Sequence, residues 1–289
     1  MTVSAALPGS RSARSRTTRR QSRVLPGFGI SLGVTVLFVG LVILLPFAAL
    51  LIKAGSLGPE AYWRIVSSPR AVASYALTLR AACWATLFNA AYGLLMAWVL
   101  VRCPFPGRRI VDAAMDLPFA LPTAVAGVAL TALLATNGWV GALFAPTKIA
   151  YAEAGIVIAM AFVSAPFVVR SVQPVLEDLE PELEEAARTL GAREGQVFWR
   201  VVFPALLPAF LTGCSLAFAR CLGEFGAVIF IAGNLPFVTE ITPLLIFIRL
   251  EEFEYPAASA IASVVLVAAL VVLFAVHGLQ AWQRREARR

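Results

Sequence analysis

Six stretches of the chain stay apolar for roughly 20 residues or more, at about 28–52, 74–101, 113–135, 152–172, 205–232 and 257–282. That is the length a helix needs to cross the hydrocarbon core of a bilayer. No water reaches that core, so a spanning segment must satisfy its own backbone, which leaves helices and closed barrels. A barrel strand alternates apolar and polar residues, and these blocks do not alternate. The expected fold is an all-α membrane protein with six transmembrane helices. Composition agrees: 14% of the residues are charged, against about 25% in a soluble domain.

The net charge is +7, and Lys53 and Lys148 are the only lysines among 24 basic residues. The arginines sit at the ends of apolar blocks, so the charge reads as topology and not as a nucleic-acid surface. Residues 1–24 form a basic tail rich in Ser, Thr and Arg, expected to be disordered. "TRRQSRVL" has a twin-arginine look, but the apolar block from Phe28 to Ile52 is too long for a signal segment and reads as an uncleaved first helix. Arg102, Arg108 and Arg109 follow the second block. Arg170, Arg188, Arg193 and Arg200 follow the fourth, and "RREARR" ends the chain at 284–289. Positive loops mark the cytoplasmic side, so both termini and the loop at about 173–204 are expected there, with residues 25–283 as one membrane domain. Cys83, Cys103, Cys214 and Cys221 show no CxxC spacing, and no disulfide is expected.

That loop contains "EEAARTLGAREGQVFWRVVFP", Glu184 to Pro204, unusually charged for this chain. Leu176, Leu179, Leu183, Ala186, Ala187 and Leu190 recur at helical spacing, with the acids mostly elsewhere. Pro181 kinks or opens the helix, and Gly191 is placed to end it in a left-handed turn. A second short helix is expected from about Arg193 to Val202, stopped by Pro204. The inner leaflet is itself negative, so an acidic amphipathic hairpin fits a groove in another protein better than a headgroup layer.

At fixed spacing, Glu185-Ala186-Ala187, Gly191, then Val201, Phe203 and Pro204 reproduce the EAA loop of bacterial ABC importer permeases, with Phe203 where leucine is more usual. "FPGRRIVDAAMDLPFALPTAVAGVAL" (Phe105 to Leu130), "AMAFVSAPFVVRSVQPVLEDL" (Ala159 to Leu179), "LGEFGAVIFIAGN" (Leu222 to Asn234) and "EFEYPAASAIASVVL" (Glu252 to Leu266) resemble the T-type permease subunits of sulfate/thiosulfate importers. Molybdate permease subunits are similar in the same regions, which keeps molybdate, tungstate or another oxyanion as the alternative cargo. The resemblance implies the ABC importer permease fold in a multi-pass protein of the bacterial plasma (inner) membrane. It implies no catalysis and no cofactor or metal in this chain. It further implies ABC ATPase subunits that hydrolyse ATP, a second permease subunit forming a heterodimer, and a periplasmic or lipid-anchored sulfate/thiosulfate-binding protein. The hairpin between helices 4 and 5 would couple to the ATPase through Glu184, Glu185, Ala186, Ala187, Leu190, Gly191 and Pro204.

A charged oxyanion cannot cross hydrocarbon unaided, so polar and helix-breaking residues within spans are candidates for its pathway or gate. The third block holds Asp116, Pro118, Pro122 and Thr123, where two prolines free carbonyls and kink the helix. The fifth holds Arg220, Gly223, Glu224 and Gly226. Arg220 and Glu224 are one turn apart, spaced to pair, and the glycines are expected to allow close helix approach. Glu224 has the wrong sign to attract an anion, so its functional reading is a gate or hinge. Arg80 is expected to snorkel at the external end of its span, with lipid around the spans. Two other classes fit less well. An intramembrane enzyme would need a base, and the one histidine, His277, has no HExxH or triad spacing around it. A secondary transporter often carries inverted repeats, and none is visible. The chain has no GxxxxGK[ST] loop of its own.

Overall fold

The computed structural model of the chain describes residues 28–286. The tail 1–24 and the last part of the basic end at 284–289 lie outside the described residues. Residues up to Ala48 cluster as one compact unit and those from Ala49 as another. The first is helix throughout its described part, with a π turn at Gly40–Leu44.

Among the described residues there is no strand. The helices are α1 (Phe28–Gly55), α2 (Pro59–Val66), α3 (Pro69–Arg102), α4 (Arg108–Ala114), α5 (Leu117–Ala120), α6 (Thr123–Leu134), α7 (Glu153–Glu177), α8 (Pro181–Thr189), α9 (Glu194–Leu222), α10 (Val228–Ile231), α11 (Thr242–Glu251) and α12 (Tyr255–Glu286). Five of them, α1, α3, α7, α9 and α12, are long and apolar enough to cross a membrane. Local sequence explains their ends. Ser68 accepts the Ala71 N–H ahead of Pro69 at the start of α3, where a capping hydroxyl and a first-turn proline both suit a helix.

The core is built on α3, α7 and α9. Gly93 of α3 and Gly213 of α9 face α7 at the same residue. A Cβ on Gly93 would stand 2.6 Å from the Val168 Cβ, and one on Gly213 would stand 2.9 Å from the Val168 Cα. Small residues allow this approach, which is how helices pack without a hydrophobic force between them and lipid. A polar knot joins the same three helices. The fully buried Asn89 donates from Nδ2 to the Ala161 carbonyl at 2.9 Å and to Ser164 Oγ at 2.8 Å. Ser164 Oγ in turn lies 3.2 Å from Cys221 Sγ. At the other end of the bundle Arg70 forks onto the buried Glu240 at 2.8 and 2.6 Å, and the Thr242 N–H donates to Thr78 Oγ1 at 2.9 Å.

Three expectations need correction. The third apolar block is not one helix but the separate pieces α4, α5 and α6. Leu121, just before Pro122, has ψ 134°, as expected where the proline ring excludes the helical conformation of the residue ahead of it. The fifth block stops at Leu222 and resumes only as the short α10. Pro204 does not stop the helix after the loop: α9 runs unbroken from Glu194, because a π turn at Phe198–Val202 has the Phe203 N–H donating to the Phe198 carbonyl. That wider turn places Pro204 as though at a helix start, where its missing N–H costs nothing.

Gly213→Leu is expected to lower the melting temperature of the detergent-solubilised protein, because the Val168 backbone cannot yield and overpacking costs about 1–3 kcal/mol. Gly223→Ala should leave it nearly unchanged, since a Cβ there meets open space. A thermal unfolding series that ranks the two the other way would refute this account of the packing.

Candidate functional site

The loop between α7 and α9 is a hairpin whose turn is fully bonded. Gly191 has φ +84°, a conformation that costs glycine little and a β-branched residue much. Its N–H donates to the Arg188 carbonyl at 2.9 Å, and the Ala192 N–H donates to the Ala187 carbonyl at 3.1 Å. These two bonds make the paired closure of a helix end known as a Schellman motif. The second arm opens with the Arg193 N–H donating to Gln196 Oε1 at 2.9 Å.

Which side of α8 faces inward is the unexpected feature. Glu184 is 7% exposed. Its Oε1 accepts from Arg102 Nη2, at the end of α3, at 2.6 Å, and its Oε2 accepts from Arg188 at 3.3 Å. Arg188 also bonds Glu194 at 2.8 Å across the turn, a bond that raises its pKa further. Ala187 is half-buried, whereas Leu183, Ala186 and Leu190 are exposed, Leu190 at 88%. Glu185 is also exposed. The helix thus turns a carboxylate toward its own chain and an apolar row outward. The second arm is held by Val197 and Val202, both buried, and by Phe198 packed edge-on against Trp98 of α3 with ring centroids 5.3 Å apart.

The candidate residues of the third and fifth blocks are partly brought together. Arg220 and Glu224 pair at 2.6 Å, with the Glu224 side chain 2% exposed. The other Glu224 oxygen accepts the Ala227 N–H at 2.7 Å, satisfying backbone where α9 has ended. Thr123 meets Gly226, where any Cβ would collide with its Oγ1. Likewise a Cβ on Gly127 would strike the Ala227 backbone. Gly223 is the exception to the expected close approach: it is exposed and nothing lies near its Cβ direction. Pro118 lines a mainly apolar groove of about 370 Å³ with Phe88, Tyr92, Met115 and Phe162, and Pro122 is the residue before α6. Asp116 lies apart from Glu224's partners and is held by Arg170 at 2.7 Å.

Among the ion pairs that were not legible in the sequence are those of Arg170 and Arg80. Arg170 reads in sequence as loop charge yet lies within α7, and its signal is a lone arginine opposite the i,i+4 acids Asp112 and Asp116. Arg80 does not snorkel alone but forks onto Glu153 at 2.5 and 2.7 Å. Among the described residues no group of His, Cys, Asp and Glu has a metal-binding arrangement.

The family model described as "Binding-protein-dependent transport system inner membrane component" matches residues 89–289. The sulfate transport system permease protein CysT of Salmonella typhimurium is 57% identical over 260 residues, covering 89% of this chain and 94% of that protein. The probable sulfate transport system permease protein of Marchantia polymorpha is 39% identical over 269 residues, covering 92% and 93%. Among solved structures, a bacterial alginate ABC transporter in complex with an alginate pentasaccharide-bound periplasmic protein aligns with a TM-score of 0.72 at 18% identity. That alignment covers 86% of this chain and 91% of the other, and at that identity the likeness is one of fold. The chain is therefore a multi-pass inner-membrane protein belonging to the family of binding-protein-dependent transport system inner membrane components.

Proposed function

We propose that this chain is the T-type membrane subunit of an ATP-driven importer that passes sulfate or thiosulfate into the cytoplasm. The cargo assignment is supported by the identity shared with the sulfate permeases along nearly the whole chain. The coupling role is supported by the outward apolar row Leu183, Ala186 and Leu190 on a hairpin pinned from behind through Glu184. An exposed i, i+3, i+7 row on a short helix suits a groove in a partner, here the cleft of a separate ATPase subunit that binds and hydrolyses ATP. Glu185, Ala186 and Leu190 are the contact residues. Glu184, Ala187, Gly191 and Pro204 set the angle at which they are presented. A second permease subunit completes a heterodimer, and a periplasmic or lipid-anchored binding protein delivers the anion.

In this reading the chain crosses the membrane six times with both termini in the cytoplasm, the third crossing being the interrupted α4–α6 segment. Residues 25–283 are then the permease domain, with basic cytoplasmic ends at 1–24 and 284–289. The interruption and the break after Leu222 form the gate: Asp116, Pro118, Pro122 and Thr123 on one side, Arg220, Gly223, Glu224 and Gly226 on the other. Breaks in spanning helices are tolerated where protein or a water-filled cavity satisfies the backbone, and such places are where transporters handle polar cargo.

Three expected outcomes test the reading. Cysteines at positions 10 and 287 should label only from the cytoplasm and one at 137 only from outside; termini that label from opposite sides would rule out six crossings. For the buried pair, Arg220→Ala or Glu224→Ala alone should impair assembly more than the double change, because a stranded charge costs about 3–5 kcal/mol. Strictly additive losses would separate the two roles. For the hairpin, Gly191→Val and Glu185→Lys should insert normally but lose both ATPase co-purification and sulfate uptake. Normal co-purification with normal uptake in both would leave the hairpin a mere connector, and uptake of molybdate in preference to sulfate would change the cargo.

A further inference from the structure

The guanidinium of Arg170 has five N–H donors, and the structure gives every one an acceptor. Nε donates to Asp116 Oδ1 at 2.8 Å, and Nη2 donates to Asp116 Oδ2 at 2.7 Å. Nη2 also donates to the Asp112 main-chain carbonyl at 2.8 Å. Nη1 donates to Asp112 Oδ1 at 2.6 Å and to Gln173 Oε1 at 2.8 Å. Gln173 then turns its amide nitrogen to Glu177 Oε1 at 3.1 Å. Arg170, Gln173 and Glu177 fall at i, i+3 and i+7, one face of α7, and Glu177 is the last residue of that helix before the hairpin.

The acceptors at the far end are as specific. Asp112 lies near the end of α4, and Asp116 is the residue just before α5. One side chain therefore grips both sides of the first interruption in the third block. Past that interruption, α6 begins at Thr123, which meets Gly226 beside the Glu224–Ala227 bond. Side-chain contacts thus run from the base of the hairpin to the first break, and the chain itself continues from there through α5 to Thr123, which meets Gly226 at the second.

We infer that Arg170 is a positioning residue that ties the tilt of α7, as set by the hairpin, to the conformation of the interrupted third block, and so makes opening of the pathway follow ATPase closure. This rests on the hairpin being the ATPase contact. A saturated five-bond clamp, one turn ahead of Pro174 in α7, moves its two aspartates with the part of the helix that carries Arg170. A lysine, with three donors on a flexible stem, keeps the charge and cannot reproduce the fork.

The test uses the whole transporter, with its ATPase subunits, second permease and binding protein, reconstituted in vesicles. ATP hydrolysis and sulfate uptake are read together for Arg170→Lys and for Asp112→Asn. In both variants the ATPase should co-purify normally and its hydrolysis should still rise with loaded binding protein. Sulfate taken up per ATP should fall roughly tenfold, within the usual range of coupling between sites. Loss of hydrolysis and uptake by the same factor, loss of the assembled complex in both variants, or no change in either rate would overturn the inference. The hairpin reading is judged separately, by ATPase co-purification with Gly191→Val, which the Arg170 variants do not affect.

Discussion

A bilayer offers no hydrogen-bond partner to a broken helix, and that constraint organises the rest of the molecule. Two helix ends within the apolar blocks come with an internal substitute for water. Where α9 ends, Glu224 takes the Ala227 N–H. Where α4 ends, Arg170 takes the Asp112 carbonyl. An unsatisfied backbone group in hydrocarbon costs several kcal/mol, so these side chains are conditions for having breaks at all.

The same constraint explains where the charges are. Arg70–Glu240, Arg102–Glu184 and Arg220–Glu224 each set a partly exposed arginine on a carboxylate that is nearly buried, at 1%, 9% and 2% side-chain exposure. Isolated, such a carboxylate would be strongly disfavoured; paired, it roughly breaks even against an apolar residue. These pairs therefore specify position more than they add stability. Arg70–Glu240 holds the segment entering α11 to the start of α3. Arg102–Glu184 holds the hairpin to the end of α3. Arg220–Glu224 holds the break at the end of α9.

Hydropathy revealed the unbroken spans because length and apolarity are one-dimensional properties. It misread the third and fifth blocks for a physical reason: a window that sums apolarity ignores what Pro122 does to Leu121 and what Gly223 permits after Leu222. Pro204 misled in the opposite direction, since a π turn just ahead of it lets the helix continue, and no residue type announces a π turn. The hairpin turn was readable because Gly191 alone suits a positive φ at that spacing. The burial of Glu184 was not, because its cause is Arg102, some eighty residues earlier. Gly226 and Gly223 look alike in sequence, yet only Gly226 has a neighbour pressed against it, and that neighbour comes from another block.

Placing the carboxylate inward and the leucines outward has a consequence for force. A hairpin resting its apolar side on its own bundle would be held by contacts that slide, since dispersion is non-directional. Here apolar packing anchors the second arm, while the first arm and the turn are held by directional bonds: Arg102 and Arg188 on Glu184, Arg188 on Glu194, and two backbone bonds closing the turn at Gly191. Directional bonds resist rotation as well as separation. The exposed row is left free for a partner, and behind it the attachment leads into two long helices, α7 through Glu177 and α9 without a break from Glu194. Under the proposed coupling role, a push on Leu183 or Leu190 would reach both helices, and α7 carries on its side Arg170, which grips the interrupted segment. Rigid where it is held and apolar where it is exposed, the hairpin has the mechanical form that the proposed coupling role demands.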